Sequence, residues 1–398
     1  MREIIEKSIA HGSARVPPSK SDAHRKLICA AMCAGKTTVI RGMYASQDIL
    51  ATVDCIKAMG AECRIADGAF YVKGVDFSSS AGTVLNCRES GSTLRFFIPL
   101  CMLSGGLFRL CGTKKLISRP LSVYEKLAGE NGIRFEKSDE SINVCGRLGA
   151  RSLAVQGNIS SQFITGLMLW AAASGGAEIK IEESFESRPY ALMTAAVLRE
   201  FGVTAEVGKN VVTVSGSLES PGGTTVEGDW SSAAFFEALN CMGGSVDVVG
   251  APSDSFQPDK AFADIAKTSP LCADLSDCPD LAPMLFALAA YRGGGEFSGT
   301  ARLRYKESDR ALAMKLELEK FGADVRVGEN GVSVVCSCLH APDDVLYSHN
   351  DHRIAMALSV LCTAVGGTVD GAEAVAKSMP DFYEKLRSLG VRCHEADS

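Results

Sequence analysis

The stretch LREFGVTAEV, which runs from Leu198 to Val207, contains the pattern that decides the fold. An apolar pattern of helical spacing ends at Phe201, and apolar side chains then alternate along a short segment that starts at Val203. Between them stands Gly202, and glycine most readily adopts the left-handed conformation in which helices commonly end. The stretch therefore predicts a helix, a glycine cap and an immediately following strand.

The same junction recurs along the chain. Five further glycines separate a helical apolar pattern from a short strand pattern: Gly60, Gly132, Gly243, Gly322 and Gly390. The six glycines are mostly spaced by about seventy residues, which indicates one supersecondary unit used six times. The short interval between Gly202 and Gly243 suggests a junction between two groups of three. We therefore predict an α/β protein with many short strands.

Bulk composition restricts the class of protein. The chain has 398 residues, too many for one ordinary core, so two domains are expected. Its hydrophobic content of 46% and charged content of 22% are typical of a globular protein. A net charge of −6 argues against a nucleic-acid or anionic-membrane partner, which would need a basic surface. The longest nearly apolar run is too short to cross a membrane, and the charged first residues do not resemble a signal peptide.

The cysteines indicate the redox compartment. There are 15 of them, with no CxxC motif, and an odd number cannot pair completely. Most lie in apolar stretches, where cysteine acts as a small hydrophobic residue. These features favour a reduced, cytoplasmic protein.

Four arginines stand in or near the first turn of a predicted helix, where a cation opposes the helix dipole. They are Arg25, Arg95, Arg310 and Arg353, and each follows a Ser, Asp or Asn that is a suitable N-cap. Any one of them alone reads as a solvated or salt-bridged side chain, with Asp22 and Asp309 as local partners. Together with Lys20 and Gly91 at the same helix ends, they indicate small anions bound at several helix N-termini.

Two other motifs give weaker indications of function. Gly35-Lys36-Thr37 resembles the end of a P-loop but lacks the upstream glycine. His349 and His352 have a spacing that metal ligands use, but no matching Cys/His cluster accompanies them. We therefore expect neither a metal nor another cofactor.

Nine short motifs, in order along nearly the whole chain, resemble those of the EPSP synthase family, the 3-phosphoshikimate 1-carboxyvinyltransferases among the enolpyruvyl transferases. They are Pro17–Ser21 with Arg25, Ser90–Arg95, Ser118–Leu121, Ser160–Phe163, Ser187–Tyr190, Pro279-Asp280, Lys306–Arg310, Asn350–Arg353 and Lys377–Asp381.

The resemblance implies two similar domains, each built from three copies of a βαβαββ unit in an inside-out α/β barrel. It implies that residues 1–14 plus 225–398 form one discontinuous domain and that residues 15–224 form the other. The active-site cleft is then expected between them.

The resemblance also implies an activity. The enolpyruvyl group of phosphoenolpyruvate is transferred to the 5-hydroxyl of shikimate 3-phosphate through a tetrahedral intermediate, in chorismate and aromatic amino-acid biosynthesis. The implied catalytic residues are Asp280, Glu307, Lys306 and Lys20. The residues implied to bind phosphoenolpyruvate are Lys20, Gly91, Arg119, Gln162, Arg310, Arg353 and Lys377, with Arg95 on the same side. Those implied to bind shikimate 3-phosphate are Lys20, Ser21, Arg25, Ser160, Ser161, Gln162, Ser187, Tyr190, Asp280 and Lys306. The expected partners are these two substrates alone, bound by a monomer.

Two positions depart from the family pattern. Glu89 stands where many members have Asn, and Arg302 stands where some use Asn to hold the shikimate ring. Two alternatives to this activity are a transferase acting on UDP-N-acetylglucosamine and a non-catalytic anion-binding homologue. The Ser-Ser-Gln and Lys-Glu-Ser-Asp-Arg motifs favour shikimate 3-phosphate over the first, and the acid/base set argues against the second.

Overall fold

The computed structural model describes residues 1–186 and 188–396, which form two compact units. The segmented unit consists of Met1–Pro17 and the chain from Gly228 onward, and the continuous unit consists of Pro18–Glu227. The sequence placed the domain boundaries after residues 14 and 224. The boundaries between the compact units lie three residues later, after Pro17 and after Glu227.

Short strands and helices alternate along both units. The strands, in chain order, are β1 Arg2–Ile5, β2 His11–Arg15, β3 Thr37–Arg41, β4 Glu62–Ala66, β5 Ala69–Lys73, β6 Val84–Asn86, β7 Leu107–Cys111, β8 Arg134–Lys137, β9 Ser141–Cys145, β10 Ser152–Gln156, β11 Ala177–Glu182, β12 Val203–Val207, β13 Val211–Gly216, β14 Gly223–Thr225, β15 Ser245–Val249, β16 Leu271–Asp274, β17 Gly294–Ser298, β18 Asp324–Val327, β19 Gly331–Val335, β20 Leu346–Tyr347, β21 Gly367–Asp370 and β22 Cys393–Glu395. The α-helices are α1 Lys20–Met32, α2 Gln47–Ala58, α3 Gly91–Cys101, α4 Lys114–Ile117, α5 Ser122–Glu130, α6 Ser161–Ala173, α7 Arg188–Glu200, α8 Trp230–Cys241, α9 Phe262–Ile265, α10 Ala282–Arg292, α11 Arg310–Glu319, α12 His352–Val365 and α13 Phe382–Ser388.

The continuous unit contains three four-stranded sheets of one topology. Their strand orders are β14-β3-β5-β4, β6-β7-β9-β8 and β10-β11-β13-β12. In each sheet the first two strands are parallel and the remaining pairs are antiparallel. A helix connects the parallel strands β6 and β7, and another connects β10 and β11, as a parallel connection requires. In the first sheet α1 precedes β3, and the parallel partner β14 comes from the other end of the unit. In all three sheets a further helix precedes the antiparallel hairpin. This is the expected βαβαββ repeat.

The segmented unit repeats the topology with two variations. The sheet β16-β17-β19-β18 is complete, and in β20-β21-β1-β22 the N-terminal strand takes the place of the last strand of the repeat. The third sheet of this unit, in the described residues, consists only of the parallel pair β2 and β15. This sixth repeat therefore keeps its first helix, α8, but has no antiparallel hairpin in the described residues.

Helices form the interior of each unit. In α6 and α12 nearly every side chain is buried, whereas strands such as β7 and β10 alternate buried and exposed side chains. A helix that is apolar all round belongs inside a protein, and an alternating strand covers the core with one face. The buried side chains form two separate clusters, one in each unit.

The six predicted glycine caps are confirmed. All six glycines have positive φ angles, from 65° at Gly132 to 104° at Gly60. Gly243 nevertheless differs from the others, because it follows the first helix of its repeat and leads into a strand of a parallel pair. This difference explains the short interval after Gly202.

Two other kinds of binding element are absent from the described residues. Among the helices of residues 1–186 and 188–396, none is long and apolar enough to cross a membrane. Within the same ranges, no group of three or more His, Cys, Asp or Glu side chains is arranged to hold a metal ion.

Candidate active site

All four arginines lie at or near helix starts, as predicted: Arg310 and Arg353 in the first turn, and Arg95 and Arg25 at the fifth and sixth residues of their helices. The N-cap side chains of Ser19, Ser90, Asp309 and Asp351 accept a hydrogen bond from a backbone N–H of the first turn of α1, α3, α11 and α12. Each arginine is at most 8% exposed. A solvated surface position is thereby excluded for all four.

Arg25 lies among helices of the continuous unit. Its guanidinium donates to the hydroxyls of Thr194 and Thr165, at 2.9 and 3.1 Å, and to the carbonyl of Ser21 at 2.6 Å. Its expected local partner Asp22 pairs with Lys26 instead. Burial lowers the pKa of Arg25 to about 10, so it remains a cation at neutral pH.

Gly91 is the first residue of α3, and two guanidinium groups and an amide lie against it. A Cβ atom on Gly91 would be 2.8 Å from Nη1 of Arg119, 3.4 Å from Nη1 of Arg95 and 3.6 Å from Oε1 of Gln162. Arg95 donates to this Gln162 oxygen at 2.7 Å. We call these four residues the Gly91 cluster. It combines two cations with the positive end of a helix, an arrangement suited to a small anion.

Lys20 and the serines begin other helices of the same unit. The Lys20 ammonium group donates to Asp48 of α2 at 3.0 Å. Ser160 caps α6, and Ser21, Ser161 and Tyr190 are half-buried. Ser187, which was also expected to bind substrate, lies outside the described residues.

Asp280 of the segmented unit accepts hydrogen bonds from three cations. The donors are Lys306 at 3.1 Å, Arg310 at 2.7 Å and Arg353 at 3.2 Å. Burial on its own would raise the pKa of Asp280, but Arg353, Lys306 and Arg310 hold it well below its ordinary value. The carboxylate is therefore ionised, and it neutralises only part of the cationic charge around it.

Arg310 is the most buried member of this group, with 1% of its surface exposed. Besides Asp280, it donates to Asp351 at 2.8 Å and to Glu307 at 2.8 Å. Burial opposes its charge, but Asp351, Glu307 and Asp280 raise the pKa of Arg310. Asp309, the local partner that the sequence suggested for Arg310, is instead the N-cap of α11. We call Asp280, Lys306, Glu307, Arg310, Asp351 and Arg353 the Asp280 cluster.

Comparison with known proteins places the chain in a family. The model of EPSP synthase (3-phosphoshikimate 1-carboxyvinyltransferase) matches residues 6–270 and 266–386, nearly the whole chain. Relatives named 3-phosphoshikimate 1-carboxyvinyltransferase include those of Brachyspira hyodysenteriae, 34% identical over 98% of this chain and 99% of the relative, and Methanopyrus kandleri, 34% identical over 96% of both. The chain belongs to the EPSP synthase family. It is therefore a transferase.

Solved structures agree with the fold. The EPSP synthase from Acinetobacter baumannii superposes with a TM-score of 0.81 over the whole of both chains, at 22% sequence identity. The enolpyruvyl transferase NikO from Streptomyces tendae superposes with a TM-score of 0.73 over 100% of this chain and 99% of its own, at 17% identity. At these identities the likeness shows the EPSP synthase fold alone.

The structure also places Lys377 and the two positions that depart from the pattern of the EPSP synthase family. Lys377 donates to the carbonyl of Asn350, two residues before α12. Glu89 is exposed, and its neighbour Arg88 pairs with Asp54 at 2.6 Å. Arg302 is buried and donates to the carbonyl of Ser276.

Three carboxylates that the structure places among these cations had received no site role from the sequence. They are Asp48 beside Lys20, Asp351 beside Arg310, and Asp259, which interacts electrostatically with Asp280 and Arg353. Asp48 and Asp351 stand at helix starts, where an acidic residue is ordinary, so even Asp351, inside the Asn350–Arg353 motif, was interpreted only as an N-cap. Asp259 follows Gln257-Pro258 and resembles a turn residue.

Proposed function

We propose that the chain transfers the enolpyruvyl group of phosphoenolpyruvate to the 5-hydroxyl of shikimate 3-phosphate, releasing phosphate, on the route to chorismate and the aromatic amino acids. The observation that carries this proposal is the Asp280 carboxylate held by Lys306, Arg310 and Arg353. One carboxylate within hydrogen-bond distance of three cations provides both a proton acceptor and charges that bind anions.

The substrates require fixed cations. Their two phosphates and two carboxylates repel each other, so they are held together only where positive groups compensate them. We assign phosphoenolpyruvate to Lys20, Gly91, Arg119, Gln162, Arg310, Arg353 and Lys377. We assign shikimate 3-phosphate to Lys20, Ser21, Arg25, Ser160, Ser161, Gln162, Ser187, Tyr190, Asp280 and Lys306.

Proton transfer is assigned to the Asp280 cluster. In the addition step the 5-hydroxyl oxygen bonds to C2 of phosphoenolpyruvate, its proton passes to Asp280, and the methylene carbon gains a proton from Lys306 or Glu307. In the elimination step that carbon returns a proton to the same donor, the bond from C2 to the phosphate oxygen breaks, and the departing phosphate takes the proton that Asp280 had accepted. Anions that bind Lys306, Arg310 and Arg353 compensate their charges, which raises the pKa of Asp280 and makes it a better base.

A phosphate-release assay tests the activity. We expect release only when shikimate 3-phosphate and phosphoenolpyruvate are both present, with one phosphate for each enolpyruvyl group transferred. Release with UDP-N-acetylglucosamine in place of shikimate 3-phosphate would instead assign the alternative transferase activity. Binding of both substrates without release would assign a non-catalytic anion-binding role.

We also propose that the enzyme acts as a cytoplasmic monomer, since the described cysteines are all free and the family's substrates are small metabolites. Sedimentation of the purified protein at its chain mass of 42.1 kDa supports the monomer, and twice that mass contradicts it.

A further inference from the structure

Asp259 is a buried carboxyl group to which the proposed reaction assigns no role. It lies in a single 3-10 turn, Pro258–Ala261, and only 2% of its surface is exposed. The Ser231 hydroxyl donates to its Oδ2 atom, and no group of the described chain donates to its Oδ1 atom. A buried carboxylate oxygen without a donor is costly, and the neutral acid avoids most of that cost.

The turn that carries Asp259 is fixed to the start of α8. The side-chain amide of Gln257 accepts a hydrogen bond from the Trp230 backbone at 3.0 Å and donates to the Gly228 carbonyl at 2.7 Å. Ser231 is the second residue of the same helix. Asp259 is therefore held in place by contacts that do not depend on its own charge.

The charged groups that face Asp259 leave it without a cation of its own. They are Asp229, the N-cap of α8; Asp280, in the turn before α10; and Arg353, in α12. Arg353 already donates to Asp280 at 3.2 Å. The thiol of Cys278 also faces Asp259, and burial together with the nearby carboxylates keeps that thiol protonated by raising its pKa. The one cation that acts on Asp259, Arg353, is thus already paired with Asp280.

The titration of Asp259 reflects these surroundings. Burial, followed by the negative charge of Asp280, raises the pKa of Asp259 to about 7, although Arg353 and the Ser231 hydroxyl act in the opposite direction. Asp280 shifts the other way. Near neutral pH Asp280 is therefore ionised, and any proton on the pair is carried by Asp259.

We propose that Asp259 is a positioning residue that holds a proton in the working enzyme, so that the charge of Arg353 stays available to an anionic substrate group and Asp280 stays ionised. This inference rests on the proposed assignment of Arg353 to phosphoenolpyruvate. When Asp259 loses its proton, it adds a negative charge beside Arg353. Binding of phosphoenolpyruvate then weakens, whereas the chemical step at saturating substrate does not depend on Asp259.

Asp259→Asn fixes the side chain in a neutral form of the same shape, and the KM for phosphoenolpyruvate is then measured against pH. In the unaltered enzyme we expect this KM to rise roughly tenfold more than in Asp259→Asn between about pH 6 and about pH 8.5. We expect kcat to stay within about twofold. Asp254→Asn, an exposed position in the same loop, is the matched control and should follow the unaltered enzyme. Titration of phosphoenolpyruvate itself is common to all three proteins.

Ser231→Ala provides a second variant if Asp259→Asn does not fold. It removes the hydrogen bond that stabilises the ionised carboxylate, so the rise in KM should move to higher pH. Infrared spectra should also show a protonated carboxylic acid band that disappears at the alkaline end and is missing in Asp259→Asn.

The outcomes separate the two proposals. A parallel rise in KM in Asp259→Asn and the unaltered enzyme overturns the role of Asp259, as does a large loss of kcat at unchanged KM. If the unaltered enzyme releases no phosphate, the proposed function fails instead, and the infrared spectra still decide whether Asp259 carries the proton.

Discussion

Asp280 is the residue on which the proposed chemistry depends most directly, because three cations hold its carboxylate. Asp280→Asn keeps the shape of the side chain but removes the proton acceptor. We expect kcat to fall by about 10²–10⁴-fold, the usual contribution of a general base. We expect no rise in the KM for phosphoenolpyruvate, because losing the carboxylate frees cationic charge for the anion. Steady-state kinetics measures both values.

Asp277→Asn is the control for that substitution, since Asp277 is exposed and lies in the same segment. It should retain the unaltered kcat. A near-normal kcat in Asp280→Asn would remove Asp280 as the base and shift the role to Glu307.

Gly91 is the second residue for which the structure gives a specific prediction, because a side chain there would contact the other members of the Gly91 cluster. The added Cβ of Gly91→Ala would be 2.8 Å from Nη1 of Arg119, so the guanidinium must move. We expect the KM for phosphoenolpyruvate to rise by about tenfold, which corresponds to about 1.4 kcal/mol of lost binding. Gly105→Ala, whose Cβ meets nothing within 4 Å, is the control. Equal KM values in both variants would place the anion away from Gly91.

At the scale of the element, the segment before α12 is held in an unusual conformation. His349 and Asn350 both have positive φ angles, 51° and 54°, which cost non-glycine residues about 1–3 kcal/mol each. Glu317, buried on α11, accepts hydrogen bonds from the His349 ring at 2.8 Å and from the Tyr347 backbone at 2.9 Å. Glu317 therefore stabilises the turn that presents Asp351 and Arg353.

Glu317→Gln tests whether the Glu317 carboxylate stabilises this turn. Burial would raise the pKa of Glu317, but the hydrogen bonds from His349, Lys320 and the Tyr347 backbone lower it, so the substitution removes a charged acceptor. We expect unfolding to be easier by about 1.5–3 kcal/mol and amide exchange to increase in residues 347–351. Glu319→Gln, on the exposed face of α11, should change neither quantity. Unchanged exchange at 347–351 would show that Glu317 does not hold the turn.

In the sixth repeat the local sequence pattern predicts the strand but not the strand with which it pairs. Six glycine junctions predicted six equal repeats. In the described residues four repeats have the antiparallel hairpin, and a fifth has an antiparallel pair formed by β22 and the N-terminal strand β1. At Gly243 the same helix–glycine–strand signal precedes a strand that pairs in parallel with β2. Local propensity determines the glycine cap and the strand. The strand's pairing partner is a distant segment, which the local pattern does not determine.

At the scale of the whole molecule, each compact unit has its own hydrophobic cluster. Phe201 and Phe321 are matched positions, since each is fully buried and directly precedes a glycine cap. Replacing either by Ala should cost about 3–5 kcal/mol. Hydrogen exchange with mass spectrometry should show faster opening in the continuous unit for Phe201→Ala and in the segmented unit for Phe321→Ala. Equal acceleration in both units in either variant would indicate one cooperative core.

The sequence by itself determined the repeats, their glycine caps, and the cations that stand at helix starts. These depend on spacing and on the conformational preferences of single residues, so neighbours along the chain are sufficient to define them. Family motifs such as Lys306–Arg310 supplied the activity.

Only the tertiary structure decided which carboxylates meet those cations. Asp48 lies 28 residues from Lys20, Asp351 lies 41 from Arg310, and Asp259 belongs to a turn with no sequence signal. The interaction of two charges depends on their distance and on burial, and both are set by packing between elements remote in the chain. The protonation state of the carboxylates in the Asp280 cluster and of Asp259 is therefore a property of the fold.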